Sequence, residues 1–415
     1  MERNIAVIDL KSFFASVECV ERGLDPLKAL LVVCDTSRGE STLVLSASAA
    51  LKSRYGVSNI SRKRSLPKVD GLIYATPRMK LYVKKSAQVV NIFLDFVGED
   101  DIHVYSIDEA FLNLEPYLKL YRCTAMELVQ KILLKIKADL GLIATAGIGP
   151  NMFLAKSALD NDAKNKKDFI AEWAEKDVKE KLWRLRPLSK MWGISTGLEK
   201  RLNALGIQSV GELAIYPKEI LRQKLGQIGE DLWEHANGID NSDIRKKYIP
   251  KNTSLSNFQV LMRDYLIDET RLIIKEMADT LSWRMRLEEK MTSNVGLSIS
   301  YSNDNLKGFS QRISLNYPTS DNDEIYKALV LIFDKYVENY PIRRIGIVFG
   351  KLVSARYEQV DIFIGDKEQE KRHSLRETLD KIQLLYGKNT VLRTSSLSKE
   401  STIKTRNNQI GGHRK

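Results

Sequence analysis

The amino-acid sequence predicts a multidomain α+β protein, because its local patterns change along the 415-residue chain. Apolar, strand-like runs alternate with helical patterns up to about residue 170, which is typical of an α/β or α+β unit. Residues 171–245 contain short helices broken by glycines. Residues 246–257 are polar and include Pro250, as expected of a linker. A long helix, alternating strands and another helix follow, so we expect a second, separately folded α+β domain.

The first unit begins with a β-rich run over residues 4–10, and a helical pattern then continues to Gly23. Pro77 lies near the start of a later helix, where proline is well tolerated. The other predicted elements of this unit are strands over 29–35 and 41–50, a helix continuing from the second strand, a strand over 103–114, a helix over 123–141, a strand over 143–150 and a helix over 151–165.

Beyond the linker, the patterns predict one helix, two strands, a second helix and a third strand. Their ranges are 267–289, 293–302, 308–316, 323–340 and 343–353. Residues 364–415 hold 12 Lys and Arg but only 6 Asp and Glu. We expect this polar, basic tail to be poorly packed.

The overall charge and the cysteine content narrow the class of protein. A formal net charge of +12 favours a polyanionic partner, with nucleic acid preferred over a membrane. Cys19, Cys34 and Cys123 form no CxxC pair, so a disulfide framework or zinc site is not expected. There is no long apolar run and no signal-peptide pattern, so we expect a cytoplasmic protein without a membrane span.

Three acids are the strongest candidates for a reactive site. Asp9 ends the first predicted strand, and the adjacent Asp108 and Glu109 lie within the apolar strand-like run "VYSIDEAFLNL". Successive side chains of a strand point to opposite faces, and a buried, unpaired carboxylate is costly, so a cation is expected nearby. Mg²⁺ prefers such oxygen ligands, and two such ions can support phosphoryl transfer. Alternatively, Asp108 or Glu109 pairs with Arg or Lys, or Asp9 only caps the next helix.

Around these acids, several motifs follow one another in a specific order. They are "AVIDLKSFFASVE", "YSIDEAFLNL", "ATAGIGPNMFLAKSALDNDAKN" and "LSKMWGISTGLEKRLNALGI". Together they closely resemble the Y-family (translesion) DNA polymerases over nearly the whole chain. The variant "SKMWGI" and the ending "NNQIGGHRK" are most similar to the UmuC-like branch of Gram-positive bacteria, their plasmids and phages.

This resemblance implies a right-hand polymerase with an α/β palm, small fingers, a helical thumb with a helix–hairpin–helix, and an α+β little finger. The implied boundaries are palm 1–30 and 76–170, fingers 31–75, thumb 171–245, linker 246–257, little finger 258–357, and clamp-binding motif with basic tail 358–415. The implied activity is low-fidelity, damage-tolerant addition of dNTPs to a primer 3′-OH. The implied partners are primer–template DNA, dNTP, the bacterial sliding clamp (β), and a recombinase or accessory subunits.

By position in the family motifs, the resemblance also implies roles for single residues. Asp9, Asp108, Glu109 and the Leu10 carbonyl would hold two Mg²⁺ ions, with Asp108 and Glu109 as the catalytic carboxylates. The implied nucleotide-binding residues are Phe13, Phe14 and Lys156, with Phe14 as the steric gate against a 2′-OH and Lys156 on the triphosphate. Without the motifs, Phe14 would be interpreted as core packing and Lys156 as a solvated lysine.

The finger region departs from the family pattern. A Tyr and an Arg three residues later usually grip the triphosphate, but Ala50 and Ser53 occupy those positions here. Either nucleotide binding is weaker, or other groups hold the phosphates. The nearby candidates are Ser46, Lys52 and Arg54.

Two segments are predicted to hold DNA. The turn with Gly193, Ser195 and Gly197 has the pattern of a helix–hairpin–helix, whose backbone N–H groups approach a phosphate closely. A glycine-broken helical hairpin is the alternative, and "KLGQIGEDLWEHANGI" is a poorer second candidate. In the little finger, six basic residues could contact phosphates: Arg284, Arg286, Lys290, Arg312, Arg343 and Arg344.

A short motif after the last predicted strand resembles the pentapeptide that docks bacterial polymerases on the sliding clamp. It consists of Gln359, Val360, Asp361, Ile362 and Phe363. An extended peptide can insert two adjacent apolar side chains into a groove while the Gln sets the register. Alternatively, this segment is one more strand of the little finger.

Three functions are compatible with these features. A template-directed DNA polymerase accounts for the acids, the gate, the hairpin and the basic charge together. A metal-dependent nuclease or nucleotidyl cyclase would use the same acids but would leave Phe14 and the DNA-holding segments unexplained. A non-catalytic DNA-binding relative is conceivable because of the altered fingers, although all three acids are present.

Overall fold

The computed structural model describes residues 4–58, 60–246, 250, 253–303, 305–355 and 366–415. The chain divides into two compact units, Met1–Tyr248 and Ile249–Lys415. This division falls within the predicted linker.

Two sheets organise the first unit. In chain order its strands are β1 (Ile5–Leu10), β2 (Leu31–Val33), β3 (Ser46–Ala47), β4 (Ile73–Ala75), β5 (Ile102–Val104), β6 (Glu109–Asn113), β7 (Ala144–Gly149) and β8 (Ile170–Glu172). The larger sheet has the order β5-β6-β1-β7-β8, and the smaller sheet has the order β3-β2-β4. Strand β1, which carries Asp9, is therefore the central strand of the larger sheet.

The helices of the first unit cover its sheets and continue into a helical region that shares one core cluster with the larger sheet. They are α1 (Phe13–Val20), α2 (Ala49–Tyr55), α3 (Met79–Leu94), α4 (Glu115–Tyr121), α5 (Ala125–Leu140), α6 (Met152–Asn161), α7 (Asp177–Glu180), α8 (Thr196–Asn203), α9 (Val210–Ile215), α10 (Lys218–Leu225) and α11 (Gln227–Ala236). Helix α6 packs so closely on β7 that a Cβ at Gly147 would lie 2.1 Å from the Ala155 carbonyl oxygen. Glycine is therefore required there, and the contact fixes α6 beside the acid-bearing strands.

The second unit contains a four-stranded sheet in its described residues. Its elements are β9 (Leu255–Tyr265), α12 (Ile267–Leu287), β10 (Lys290–Tyr301), β11 (Phe309–Thr319), α13 (Asn322–Tyr336), β12 (Ile342–Ser354), α14 (Asp366–Tyr386), α15 (Ile403–Asn407), β13 (Gln409–Ile410) and β14 (His413–Arg414). The sheet order is β11-β10-β12-β9. Apolar residues of α12 and α13 pack on one sheet face and form the core. The predicted multidomain α+β class is confirmed.

The strands differ from the predictions in several places, of which two are instructive. The strand predicted over 103–114 is a hairpin, because the N–H groups of Tyr105 and Ser106 both donate to the Glu109 carbonyl and turn the chain between β5 and β6. Strand β9 was not predicted and begins inside the expected linker. Its pattern is misleading because Phe258, Val260 and Met262 are exposed.

The expectation of a poorly packed tail was also wrong. Arg286 on α12 pairs with Asp380 on α14 at 2.6 Å, and Arg393 pairs with Asp279 at 2.8 Å. The buried Glu276 carboxylate of α12 accepts hydrogen bonds from the Thr402 N–H and hydroxyl. Ion pairs of both polarities and hydrogen bonds to Glu276 thus join the tail to α12, which orders the segment.

Two simpler expectations concern the cysteines and the membrane. All three cysteines are free thiols, and Cys19 and Cys34 are buried. No helix among the residues with described structure is both long and apolar enough to cross a bilayer.

Candidate active site

Backbone pairing brings the three predicted acids together at one end of the central strands. Asp9 lies opposite Glu109 in the antiparallel register of β1 and β6. Asp108 lies in the turn just before β6, and its carbonyl oxygen accepts a hydrogen bond of 2.9 Å from the Leu10 N–H. The Asp108 carboxylate accepts a 2.7 Å hydrogen bond from the Ser106 hydroxyl. The strand pairing therefore places acids that are 99 residues apart in the chain, Asp9 and Asp108, in one site.

Lysines supply positive charge beside two of these acids. Lys156 of α6 lies 2.6 Å from Glu109, and both side chains are almost completely buried. Lys164, just beyond α6, lies 3.3 Å from Asp9. Both lysines also contact Asp160, at 3.3 Å and 2.7 Å. The alternative in which Glu109 pairs with a lysine therefore describes the contacts seen here.

Burial changes the pKa of two of these acids, Asp9 and Glu109. Burial raises the pKa of Asp9, and the nearby negative charge of Asp108 adds to this while Lys164 opposes it. Burial also raises the pKa of Glu109, against the effect of Lys156. Additional positive charge between these groups would favour their ionised forms.

The donor set is compatible with a hard divalent ion. Within the part of the chain that the structure describes, no three His, Cys, Asp or Glu side chains already converge as a metal cluster. However, Asp9 and Asp108 line the same cleft, Glu109 is opposite Asp9 in the sheet, and all three offer only oxygen ligands. The three carboxylates and the Leu10 carbonyl thus fit Mg²⁺ by their chemistry.

A cleft of about 670 Å³ lies over Asp9 and Asp108. Its lining combines the acids with aromatic rings and cations, and it consists of Asp9, Leu10, Lys11, Ser12, Phe13, Phe14, Leu27, Leu45, Ser46, Ala49, Lys52, Ser53, Asp108, Thr145 and Lys164. The cleft is therefore formed mainly by the β1–α1 turn, α1, the region around β3 and α2, and Lys164, which lies three residues beyond the end of α6. A ligand that carries negative charge and can pack against an aromatic ring would suit this lining.

The ring of Phe14 is held in place by a buried polar network. It stacks on Tyr82 of α3, with ring centroids 4.5 Å apart and an interplanar angle of 16°. The Tyr82 hydroxyl donates to Glu18 at 2.7 Å, and Arg78 donates twice to the same buried carboxylate, at 2.9 and 2.8 Å. Phe13 is 3% exposed and packs beneath, so Phe14 is the more accessible of the two rings in the cleft.

Comparison with known proteins identifies the family. The model of the impB/mucB/samB family matches residues 8–160, the model of its C-terminal domain matches residues 252–362, and the model of the IMS family HHH motif matches residues 175–207. Bacillus subtilis (strain 168) UvrX, which is named for UV-damage repair, is 35% identical over 99% of this chain and 98% of its own length. The chain belongs to the Y-family of DNA polymerases.

Other members of the Y-family align over nearly the whole chain as well. DNA polymerase IV 2 of Bacillus subtilis (strain 168) is 31% identical over 100% of this chain and 99% of its own length. DNA polymerase IV of Pelotomaculum thermopropionicum is 30% identical over 98% of each chain. A solved Y-family polymerase chimera of Dbh and Dpo4 has a TM-score of 0.68, covers 85% of this chain and 99% of its own, and is 21% identical. This last similarity supports the fold.

The residues that the Y-family pattern predicts to contact the triphosphate differ in their burial and in whether they line the cleft. Ala50 is buried, and the Ser53 hydroxyl donates to the Ala50 carbonyl at 3.2 Å. Lys52 lines the cleft, whereas Arg54 is exposed and does not. Lys156 is buried against Glu109 and is not part of the cleft lining, in which Lys164 appears instead.

Sequence reasoning missed Lys11 and Lys164 as residues of this site. Lys164 follows Lys156 by eight residues, which is about two helical turns, so the spacing could have indicated a common face. No pattern indicated Lys11, which lies in the turn after Asp9. Its pKa is lowered by burial and by the nearby charge of Lys164, and burial likewise lowers the pKa of Lys52.

The predicted helix–hairpin–helix turn lies within the segment that matches the HHH motif of the family. Its first helix is a short 3₁₀ turn, Leu188–Lys190, and its second is α8. Gly193 has φ of 93°, a left-handed conformation that glycine adopts without strain. The Ser195 hydroxyl caps α8 by accepting from the Leu198 N–H at 3.3 Å. Gly197 lies in the first turn of α8, with open space around it apart from Ser195.

The second hairpin candidate is a pair of packed helices. Gly226, with φ of 70°, joins α10 to α11. A Cβ at Gly229 would lie 2.3 Å from the Leu221 carbonyl oxygen, so glycine allows the two helices to pack closely.

The six candidate basic residues of the second unit fall into two groups. Arg286 is engaged with Asp380, Lys290 with Glu288 at 3.2 Å, and Arg343 with Asp264 at 3.3 Å. Arg284 is exposed on α12, and the exposed Arg312 and Arg344 lie opposite Gly296 and Ser300 on the sheet face away from the core. The motif over residues 359–363 lies outside the described residues and remains a prediction.

Proposed function

We propose that the cleft over Asp9 and Asp108 is the nucleotidyl-transfer site of a template-directed, translesion-type DNA polymerase. The single observation that carries this proposal is the meeting of Asp9, Asp108 and Glu109 through strand pairing beside the stacked ring of Phe14. A nuclease or cyclase would need the acids but has no use for a ring at this position.

The acids would hold two Mg²⁺ ions, with the Leu10 carbonyl as a further ligand. Such ions, when bound, neutralise the triphosphate and make the primer 3′-OH a better nucleophile. Asp108 and Glu109 would orient the reacting groups, and the Ser106 hydroxyl keeps the Asp108 carboxylate in place. The primer oxygen attacks the α-phosphate of the dNTP, and pyrophosphate leaves.

Phe14 would select the sugar of the incoming nucleotide. Its ring is fixed by Tyr82, which is in turn held by the buried Glu18. A ring that cannot move aside leaves no space for a 2′-OH, whereas a deoxyribose would pack against it. Lys164, accessible in the cleft and close to Asp9, is a better candidate for the triphosphate than the buried Lys156.

Primer extension tests the proposed function directly. The full chain is incubated with Mg²⁺, dNTPs and a primer annealed to a longer template. Lengthening of the primer supports the polymerase, shortening supports a nuclease, and binding without turnover supports a non-catalytic relative. Extension past a template lesion would support the translesion type.

The free cysteines are consistent with action in the reducing cytosol.

Arg312 and Arg344 provide a test of duplex binding by the second unit. Phosphate contacts release counterions, so the double variant Arg312→Ala/Arg344→Ala should bind primer–template more weakly and lower the slope of log affinity against log salt by about 2. The measurement is a fluorescence-anisotropy titration at several salt concentrations. The control, Lys335→Ala/Lys404→Ala, removes the same charge from exposed helical positions. An equal loss in this control would assign the effect to net charge alone.

The clamp-binding motif over residues 359–363 gives a further prediction. Ile362→Ala/Phe363→Ala should abolish binding to the sliding clamp and clamp-stimulated synthesis, since these side chains would fill the groove. Clamp-independent extension should persist, because tethering only raises the local concentration. Surface plasmon resonance with immobilised clamp measures the loss, and Ile364→Ala is the matched control. Parent-like binding of the double variant would exclude the motif, and competition by a synthetic pentapeptide provides a test that does not depend on folding of the variant.

A further inference from the structure

The cleft has three ammonium groups but lacks the family's usual finger ligands for a triphosphate. At the two finger positions, Ala50 is buried and the Ser53 hydroxyl is directed to the Ala50 carbonyl. Ser46 lines the cleft, and its hydroxyl accepts from the Ala15 N–H at 3.3 Å, which leaves its O–H as a single neutral donor. A nucleotide that enters this cleft must therefore find its cationic phosphate ligands outside the two finger positions.

Lys11 and Lys52 reach the cleft from two different elements. Lys11 lies in the turn between β1 and α1, and Lys52 lies in the second turn of α2. Both are partly buried and both line the cleft together with Lys164. Because α2 belongs to the finger region and the β1–α1 turn to the palm, the two lysines approach the cleft from separate parts of the first unit.

The charges of these two lysines are offset at longer range, since the charge of Asp9 acts to raise the pKa of both and the charge of Asp108 acts to raise that of Lys52. Lys164 is paired with Asp9 and Asp160. By contrast, among the described residues no Asp or Glu oxygen lies within ion-pairing distance of Lys11 or Lys52, and the contact of the Lys11 ammonium is the face of Phe169, 4.8 Å away. Partly buried like charges repel, so this arrangement is stabilised by an anion placed between them.

We propose that Lys11 and Lys52 together bind the triphosphate of the incoming nucleotide, in place of the Tyr and Arg that the family usually presents at positions 50 and 53. This inference rests on the proposed function. Two ammonium groups supply charge and rotatable donors but not the flat, bidentate geometry of a guanidinium. The site therefore recognises a polyphosphate by charge density, independently of the base and sugar.

The test compares binding of inorganic tripolyphosphate with the kinetics of dNTP insertion. The variants are Lys11→Ala, Lys52→Ala and their double, each as the full chain, and thermal melting confirms that they fold. Isothermal titration calorimetry measures the tripolyphosphate Kd. Each single variant should weaken binding roughly tenfold or more, as expected for loss of a charge-assisted hydrogen bond. In primer extension, KM for dNTP should rise by a similar factor and kcat should change less.

Arg54→Ala is the matched control, since this neighbouring cation is exposed and outside the cleft lining. Its Kd and KM should equal those of the parent. The conservative variants Lys11→Arg and Lys52→Arg should retain most of the affinity. Parent-like tripolyphosphate affinity in the double variant would overturn the inference, even if the parent extends primers. Conversely, a parent that binds tripolyphosphate through these lysines but does not extend primers would contradict only the proposed polymerase function.

Discussion

Asp108→Ala and Glu109→Ala should each abolish primer extension while leaving DNA binding intact. Both carboxylates lie at the junction of β5, β6 and β1, where backbone contacts fix them beside Asp9. Loss of either would remove one of the carboxylates that would hold the ions, and such ions contribute several kcal/mol to the transition state. The rate of nucleotide addition should therefore fall by about a thousandfold or more. Single-turnover extension on a preformed DNA complex measures this rate.

The controls for this prediction separate chemistry from folding. Asp108→Asn keeps an oxygen that can accept from Ser106, so it should retain the thermal stability of the parent while losing activity. Glu175→Ala removes an exposed acid from the same unit and should extend primers normally. Near-parent extension by either Asp108→Ala or Glu109→Ala would remove these residues from the catalytic site.

Phe14→Ala should allow the protein to insert ribonucleotides. The ring is stacked on Tyr82, and Tyr82 is hydrogen-bonded to a buried carboxylate, so the parent ring cannot retreat from a 2′-OH. Truncation would open this space, and the ratio of kcat/KM for dNTP to that for rNTP should fall by about a hundredfold, the scale of a single contact in a selective pocket. Steady-state insertion of one nucleotide, measured with each substrate, gives this ratio.

Two further variants test whether the change in sugar selection is specific to the ring of Phe14. Phe14→Tyr keeps an aromatic ring at the same place and should retain most of the discrimination against rNTPs. Leu94→Ala removes an exposed apolar side chain from α3, far along the helix from Tyr82, and should leave the ratio unchanged. Unchanged discrimination in Phe14→Ala would exclude this residue as the gate.

The sequence was sufficient to predict that the acids lie close together, since Asp9 and Asp108 each follow a strand-like run, but not to predict their partners. Lys156 and Lys164 reach Glu109 and Asp9 only because α6 packs across β7, a tertiary contact that depends on Gly147. Spacing can indicate that two lysines share a face, but local patterns cannot indicate which lysine faces a strand end. The position of Lys11 in the cleft was missed for the same reason.

The errors in the fold have a similar origin. Strand β9 exposes Phe258, Val260 and Met262 and turns Gln259 towards the tail, where its side-chain oxygen contacts Thr402 and Arg406. The apolar side chains that alternate along β9 at these positions thus face away from the core, contrary to the usual pattern of a strand. The tail was expected to be loose because its composition is basic, yet α12 offers Asp279 and Glu276 as partners. Pairing between distant segments is not visible in composition.

Single-nucleotide insertion on four templates tests the central claim most directly. The templates differ only in the base opposite the incoming nucleotide, and each is offered each dNTP with Mg²⁺ while pyrophosphate release is followed. The proposed function predicts preferential insertion of the complementary nucleotide on every template, with one pyrophosphate released per nucleotide added. Insertion that ignores the template base, or shortening of the primer without pyrophosphate release, would contradict it.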